Sequence, residues 1–195
     1  RDEENLRMVK NGLAAIVLPW YRKELLLRYE NSSGTRRLFL VELIGIAGKR
    51  AHTVQGTRKS PRTKERHQYE LEYKQFVSQF IDGLNSSKPQ EQTTYQNALE
   101  RITNIRIGSD FRSWELWKEA QTIENEILAE FKRDFNNFPQ KRSGRLQDKI
   151  DRALKIYENL AKRSKGKEHF MRSQQILYSY KEHIIKQTGL RNRRR

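Results

Sequence analysis

Residues 111–137 read FRSWELWKEAQTIENEILAEFKRDFNN, and their pattern decides the fold class. Trp114, Trp117, Ile123, Ile127, Leu128, Phe131 and Phe135 fall close to one stripe of a helix, with charged and amide side chains between them. Apolar residues recurring at three and four positions mark an amphipathic helix with one face in a core. Gly108-Ser109-Asp110 precedes the stretch, and Asp110 is placed to cap it. Pro139 follows it and cannot continue the hydrogen-bond ladder.

The same period extends outward in both directions. Towards the C-terminus, Ile150, Leu154, Tyr157, Leu160 and Ala161 form the apolar face of a helix expected over 146–162. The basic stretch Lys141-Arg142-Ser143-Gly144-Arg145 reads as a loop leading into it. Ser164-Lys165-Gly166 turns the chain, and a last helix is expected from about Glu168 to Thr188, with Gly189 as its stop. Residues 190–195 form a basic tail. Towards the N-terminus, Tyr95, Ala98, Leu99, Ile102 and Ile105 mark another helix after a polar loop at 85–90. Residues 93–189 are therefore expected to form a four-helix-bundle-like group, because short connections make neighbours antiparallel.

Residues 1–85 form the other expected group. Helices are expected over 2–18, up to Pro19, and over 20–29, up to the Asn31-Ser32-Ser33-Gly34 break. Thr35 is placed to cap the segment 36–47, which is apolar nearly all round through Leu38, Phe39, Leu40, Val41, Leu43, Ile44 and Ile46. That makes it a candidate buried central helix, with a buried strand as the alternative that periodicity leaves open. Residues 48–60, with Gly48 and Gly56, read as a loop. Ser60 and Pro61 then signal a helix start, and Tyr69, Tyr73, Phe76, Val77, Phe80, Ile81 and Leu84 form one amphipathic face. The expectation is an all-α bundle of about six to seven helices, without a 20–50-residue repeat.

The 195 residues carry 40 Lys and Arg against 24 Asp and Glu, a net charge of +16. Such a surface attracts polyanions and repels its own copies. Phosphate backbones are the commonest cellular polyanion, and neutralising them releases counterions. The absence of cysteine excludes disulfides, thiolate metal sites and cysteine nucleophiles, and suits a reducing, cytoplasmic setting. No apolar run approaches the length of a membrane span, and the basic residues do not lie opposite one apolar helix face, so no membrane contact is expected. The acidic start, Arg1-Asp2-Glu3-Glu4, does not fit a signal peptide. A first residue that is Arg rather than Met suggests a trimmed chain or a piece of a longer one.

Three clusters concentrate the positive charge. Lys49, Arg50, Arg58, Lys59, Arg62, Lys64 and Arg66 are opposed only by Glu65. Lys141, Arg142 and Arg145 form the second. Lys162, Arg163, Lys165 and Lys167 form the third, followed by Arg172. The first lies among Gly, Ser and Thr, so backbone N–H groups, hydroxyls and guanidinium forks are available together, and phosphate oxygens accept from all three. These fourteen residues, Arg172 apart, are the candidate phosphate-contacting set. Most aromatics share stripes with aliphatics and read as core, with Trp20-Tyr21 beside Pro19 a partial exception.

No catalytic constellation is apparent. His52, His67, His169 and His183 include no His-x-x-x-His pair, so no metal site is expected. Lys167-Glu168-His169 and Lys181-Glu182-His183 repeat after fourteen residues, and they read as exposed polar triplets. Phosphate-binding glycine loops and nucleophile elbows are absent, and no cofactor is implied. Glu124 and Glu126 point about 200° apart on a helix and do not form a two-metal pair. Binding without chemistry is the expectation. A nuclease or other processing enzyme with an unrecognised site is one alternative, and it would need Mg²⁺ and one essential Glu or His. An interaction subunit whose basic face docks on an acidic protein is the other, and it would ignore nucleic acid.

In character the chain resembles the small subunit of a class 1 CRISPR effector complex (Cascade). The resemblance rests on the helical group 93–189, the stripe Trp114, Trp117, Ile127, Phe131, and the basic stretches Lys141–Arg145 and Lys162–Lys167. It implies a cytoplasmic, non-catalytic ribonucleoprotein component in antiviral defence, with other subunits and further copies of itself as partners. Its basic faces would hold the guide RNA–target DNA duplex or the displaced strand, while base pairing supplies sequence. The N-terminal group and the 49–66 cluster lie outside that resemblance.

Overall fold

The computed structural model of the 195-residue chain describes residues 4, 5, 7–9, 12, 22–53, 76–86, 88–134, 140–164 and 167–192. Among these residues the structure is all-α, without strands. Beyond helical backbone at 4, 5, 7–9 and 12, the helices are α1 (Arg22–Glu30), α2 (Gly34–Thr53), α3 (residues 76–83), α4 (Pro89–Thr103), α5 (Phe111–Asp134), α6 (Gln140–Arg163) and α7 (Lys167–Asn192). The chain divides into two compact units, Arg1–Phe111 and Arg112–Arg195.

In the first unit α2 is the buried central helix, which excludes the strand alternative. Leu40, Val41, Leu43, Ile44 and Ala47 are buried. It packs extensively against α4, which contributes Tyr95, Ala98, Leu99 and Ile102. Glycine permits this approach. A Cβ on Gly45 would lie 2.8 Å from Ala98 Cα, and one on Gly48 would lie 2.8 Å from Ile102 Cγ1. Tyr29 of α1 is buried edge-on to Phe76 and Phe80 of α3, at centroid distances of 6.4 and 5.5 Å. Its hydroxyl meets the Tyr95 hydroxyl at 3.4 Å, and the Arg37 guanidinium lies 4.6 Å from its ring centroid. Pro89 opens α4, Ser86 Oγ donates to Glu91 at 2.6 Å, and Asn104 closes the helix in the left-handed conformation at φ 58°.

The second unit is a three-helix arrangement. Trp114, Trp117, Ala120, Ile127 and Phe131 of α5 are buried, as are Leu146, Ile150, Leu154, Tyr157 and Leu160 of α6. Phe170, Leu177 and Ile184 of α7 complete this core at seven-residue intervals. Phe131 stacks on Tyr180 at 4.2 Å, joining α5 to α7. Tyr157 Oη donates to Glu124 Oε2 at 2.6 Å and accepts from Gln121 Nε2 at 2.7 Å, joining α6 to α5.

Five expectations change. The division between groups falls later in sequence than residues 85–93, because α4 packs into the groove beside Gly45 and Gly48 and so belongs to the first unit. Among the described residues the C-terminal unit thus has three helices rather than four. Residues 48–53 are helix rather than loop, since Gly48 is itself part of the α2–α4 contact. Residues 141–145 are the first turns of α6: Leu146 is buried one turn ahead of Ile150 and Ser143 nearly two, so the core face begins before the apolar run does. Finally, α7 runs through Gly189 to Asn192, because one glycine costs a helix only about 1 kcal/mol. The expected helix start at Ser60-Pro61, the Trp20-Tyr21 pair and the tail 193–195 lie outside the described residues.

Candidate nucleic-acid interface

The second unit carries 21 Lys and Arg against 11 Asp and Glu, a net +10, while the first has 19 against 13, a net +6. Helix α6 gathers much of this excess. Because residues 141–145 are helical, the second basic cluster and the Lys162–Arg163 part of the third stand at opposite ends of one helix. Arg145 and Arg163 are both exposed and eighteen residues apart, which is five turns, so they share one side of α6 about 27 Å apart. Lys162 is exposed beside Arg163. Lys155, which the sequence reading did not select, is exposed between the ends. Arg172 is exposed on α7.

Acidic partners on α5 sort the cations of α6 into two sets. Lys149 Nζ donates to Glu126 at 2.8 Å and to Glu130 at 3.4 Å, and Arg152 pairs with Glu119 at 2.5 Å. The Glu126 hydrogen bond holds the Lys149 ammonium above its usual range; partial burial opposes this and Glu130 adds to it. These two cations tie α6 to α5. Arg145, Lys155, Lys162 and Arg163 have no ion-pair partner among the described residues. Charges without a fixed partner are the ones a phosphate can recruit without first breaking a contact. Arg145 also lines, with Glu130, Arg133, Leu146 and Lys149, an open cleft of about 330 Å³ where α5 ends and α6 begins.

The remaining candidates are placed only in part. Lys141 and Arg142 lie on the first turn of α6 and Lys167 begins α7, with backbone alone described. Lys49 and Arg50 lie near the end of α2, likewise by backbone. Arg58, Lys59, Arg62, Lys64, Arg66 and Lys165 lie outside the described residues. The structure therefore unites the Arg145 and Lys162–Arg163 groups on one helix.

The acids considered for chemistry are engaged in packing. Glu124 accepts from Tyr157, and Glu126 accepts from Lys149. The repeated triplets are partly absorbed as well: Lys181 Nζ donates to Asp151 at 2.5 Å, and His183 lies 5.9 Å from the Phe131 ring. Among the described residues no group of three His, Cys, Asp or Glu is placed to hold a metal ion, and no helix is long and apolar enough to cross a membrane. No protein-family model, curated protein or solved structure matches the chain.

Proposed function

We propose that this chain is a non-catalytic nucleic-acid-binding subunit of a ribonucleoprotein assembly, of the kind found as the small subunit of Cascade-type complexes. The observation that carries the reading is the set of exposed cations along α6, Arg145, Lys155, Lys162 and Arg163, that α5 leaves unpaired in a unit of net charge +10. Their role is electrostatic. They hold phosphates, release counterions and speed association, and they carry no sequence readout. Helix α6 is fixed by Tyr157, Lys149 and Arg152 against α5, so the cations project from a rigid rod.

Binding of single-stranded DNA, duplex DNA and RNA across a salt series tests the reading. Sequence-tolerant binding that weakens steeply with salt is the expected result. Absence of binding to all three at low salt contradicts it and directs attention to an acidic protein partner.

A further inference from the structure

Helix α7 carries two rows of apolar residues at seven-residue spacing. Phe170, Leu177 and Ile184 are buried. One position further on, Met171, Tyr178 and Ile185 remain 54%, 48% and 52% exposed. Seven residues are nearly two turns, so successive members of the exposed row stand about 10.5 Å apart along one side of α7.

The Lys181–Asp151 ion pair shows which side that is. Lys181 lies three residues after Tyr178 and four before Ile185, the offsets at which helix neighbours share a face, and it reaches across to α6. The exposed row therefore borders the α6–α7 groove. The two helices pack together and are joined through a short connection at 164–166, so they run antiparallel. Stepping from the Lys181–Asp151 pair towards that connection brings Tyr178 level with Lys155, and Met171 level with Lys162. Both lysines are exposed and have no ion-pair partner among the described residues, and Arg163 adjoins them. Glu158 is the acid between them, and Asp151 is neutralised by Lys181.

Resting on the reading above, we infer that this face holds a single strand, with a base stacked on Tyr178 and its flanking phosphates on Lys155 and Lys162. An aromatic ring beside unpaired cations is the arrangement that sequence-tolerant single-strand binding requires, since every base offers a π-face. A duplex hides its bases and would leave the ring unused. A docking helix would need apolar residues at both alternating positions of the heptad, and Gln174, Gln175, Lys181 and Glu182 occupy the intervening ones. A second copy would bring another unit of net +10 against this one.

The test uses the full chain with a 20-nucleotide oligothymidylate, an abasic strand of the same length and a duplex. Tyr178→Ala is expected to weaken oligothymidylate binding by roughly 5- to 100-fold, the loss of one stacked base, and Tyr178→Phe to retain it. Binding of the abasic strand and the duplex should be unchanged by either. Unchanged oligothymidylate binding in Tyr178→Ala, or an equal loss on the duplex, overturns the inference and leaves the broader reading standing. Wild-type protein that binds no probe overturns both. A wild-type dimer in sedimentation that Tyr178→Ala dissolves assigns the row to protein contact instead.

Discussion

At the scale of single residues, two tyrosines and two glycines separate what side chains do for stability from what they do for function. Burial, followed by the Glu124 carboxylate, pushes the Tyr157 phenol well above its ordinary value of 10.0. Burial and the Tyr95 hydrogen bond do the same to Tyr29. A phenol whose folded value is raised contributes nothing pH-dependent while both folded and unfolded chains keep the proton. Above about pH 10 the unfolded chain ionises first, so stability falls as pH rises. Urea unfolding between pH 8 and 11 should therefore show an alkaline decline that becomes shallower in Tyr157→Phe. That variant should also lose about 1–2 kcal/mol at neutral pH, since Glu124 and Gln121 each lose a hydrogen bond and keep only the one between them. Glycine substitutions should act with opposite signs. Gly45→Ala places a Cβ 2.8 Å from Ala98 Cα and should cost about 1–3 kcal/mol. Gly144 lies exposed on α6 with no atom within 4 Å of an added Cβ, and Gly144→Ala should stabilise by about 0.5–1 kcal/mol. Midpoints of urea unfolding read both.

Elements were legible in the sequence where apolar period and punctuation agreed. The stripe Trp114, Trp117, Ile127, Phe131 made α5 readable, and Tyr95, Ala98, Leu99, Ile102 did the same for α4. Ends and partners were less legible. Glycine reads as a break in sequence, yet Gly48 is where α2 is crossed by α4, Gly144 sits harmlessly on a solvated face, and Gly189 is passed over. Which helix α4 packs against depended on the notch at Gly45 and Gly48, a long-range feature that periodicity does not carry. The same misreading obscured the site. With residues 141–145 taken as a loop, nothing linked Arg145 to Arg163; once they are helix, the eighteen-residue separation places both on one side of α6. Lys155 could have been found from its phase with Lys162, seven residues or nearly two turns further on. The exposure of Tyr178 could not, because α7 carries apolar residues in two adjacent rows and only packing tells which one is covered.

At the scale of the whole molecule, net charge and its local arrangement make different predictions. A protein of net charge +16 attracts polyanions wherever its cations lie. An interface on α6 requires that removing particular cations matters more than removing the same number elsewhere. Ion pairing within the second unit sharpens this, because Lys149 and Arg152 are committed to α5 and their loss should weaken folding, whereas Arg145, Lys162 and Arg163 are free to serve a ligand. Arg145→Ala, Lys162→Ala and Arg163→Ala are surface changes and should each move stability by less than about 0.5 kcal/mol.

The most direct measurement compares two triple variants of equal net charge in binding to oligothymidylate between 50 and 300 mM salt. One changes Arg145, Lys162 and Arg163 to Ala; the other changes Lys88, Arg101 and Arg106 of the first unit to Ala. An interface on α6 predicts that the first variant binds more weakly and loses up to about one unit of salt slope per lost phosphate contact, so about three units, while the second stays close to wild type. Equal losses in the two variants would contradict it, and would reduce the affinity to overall charge alone.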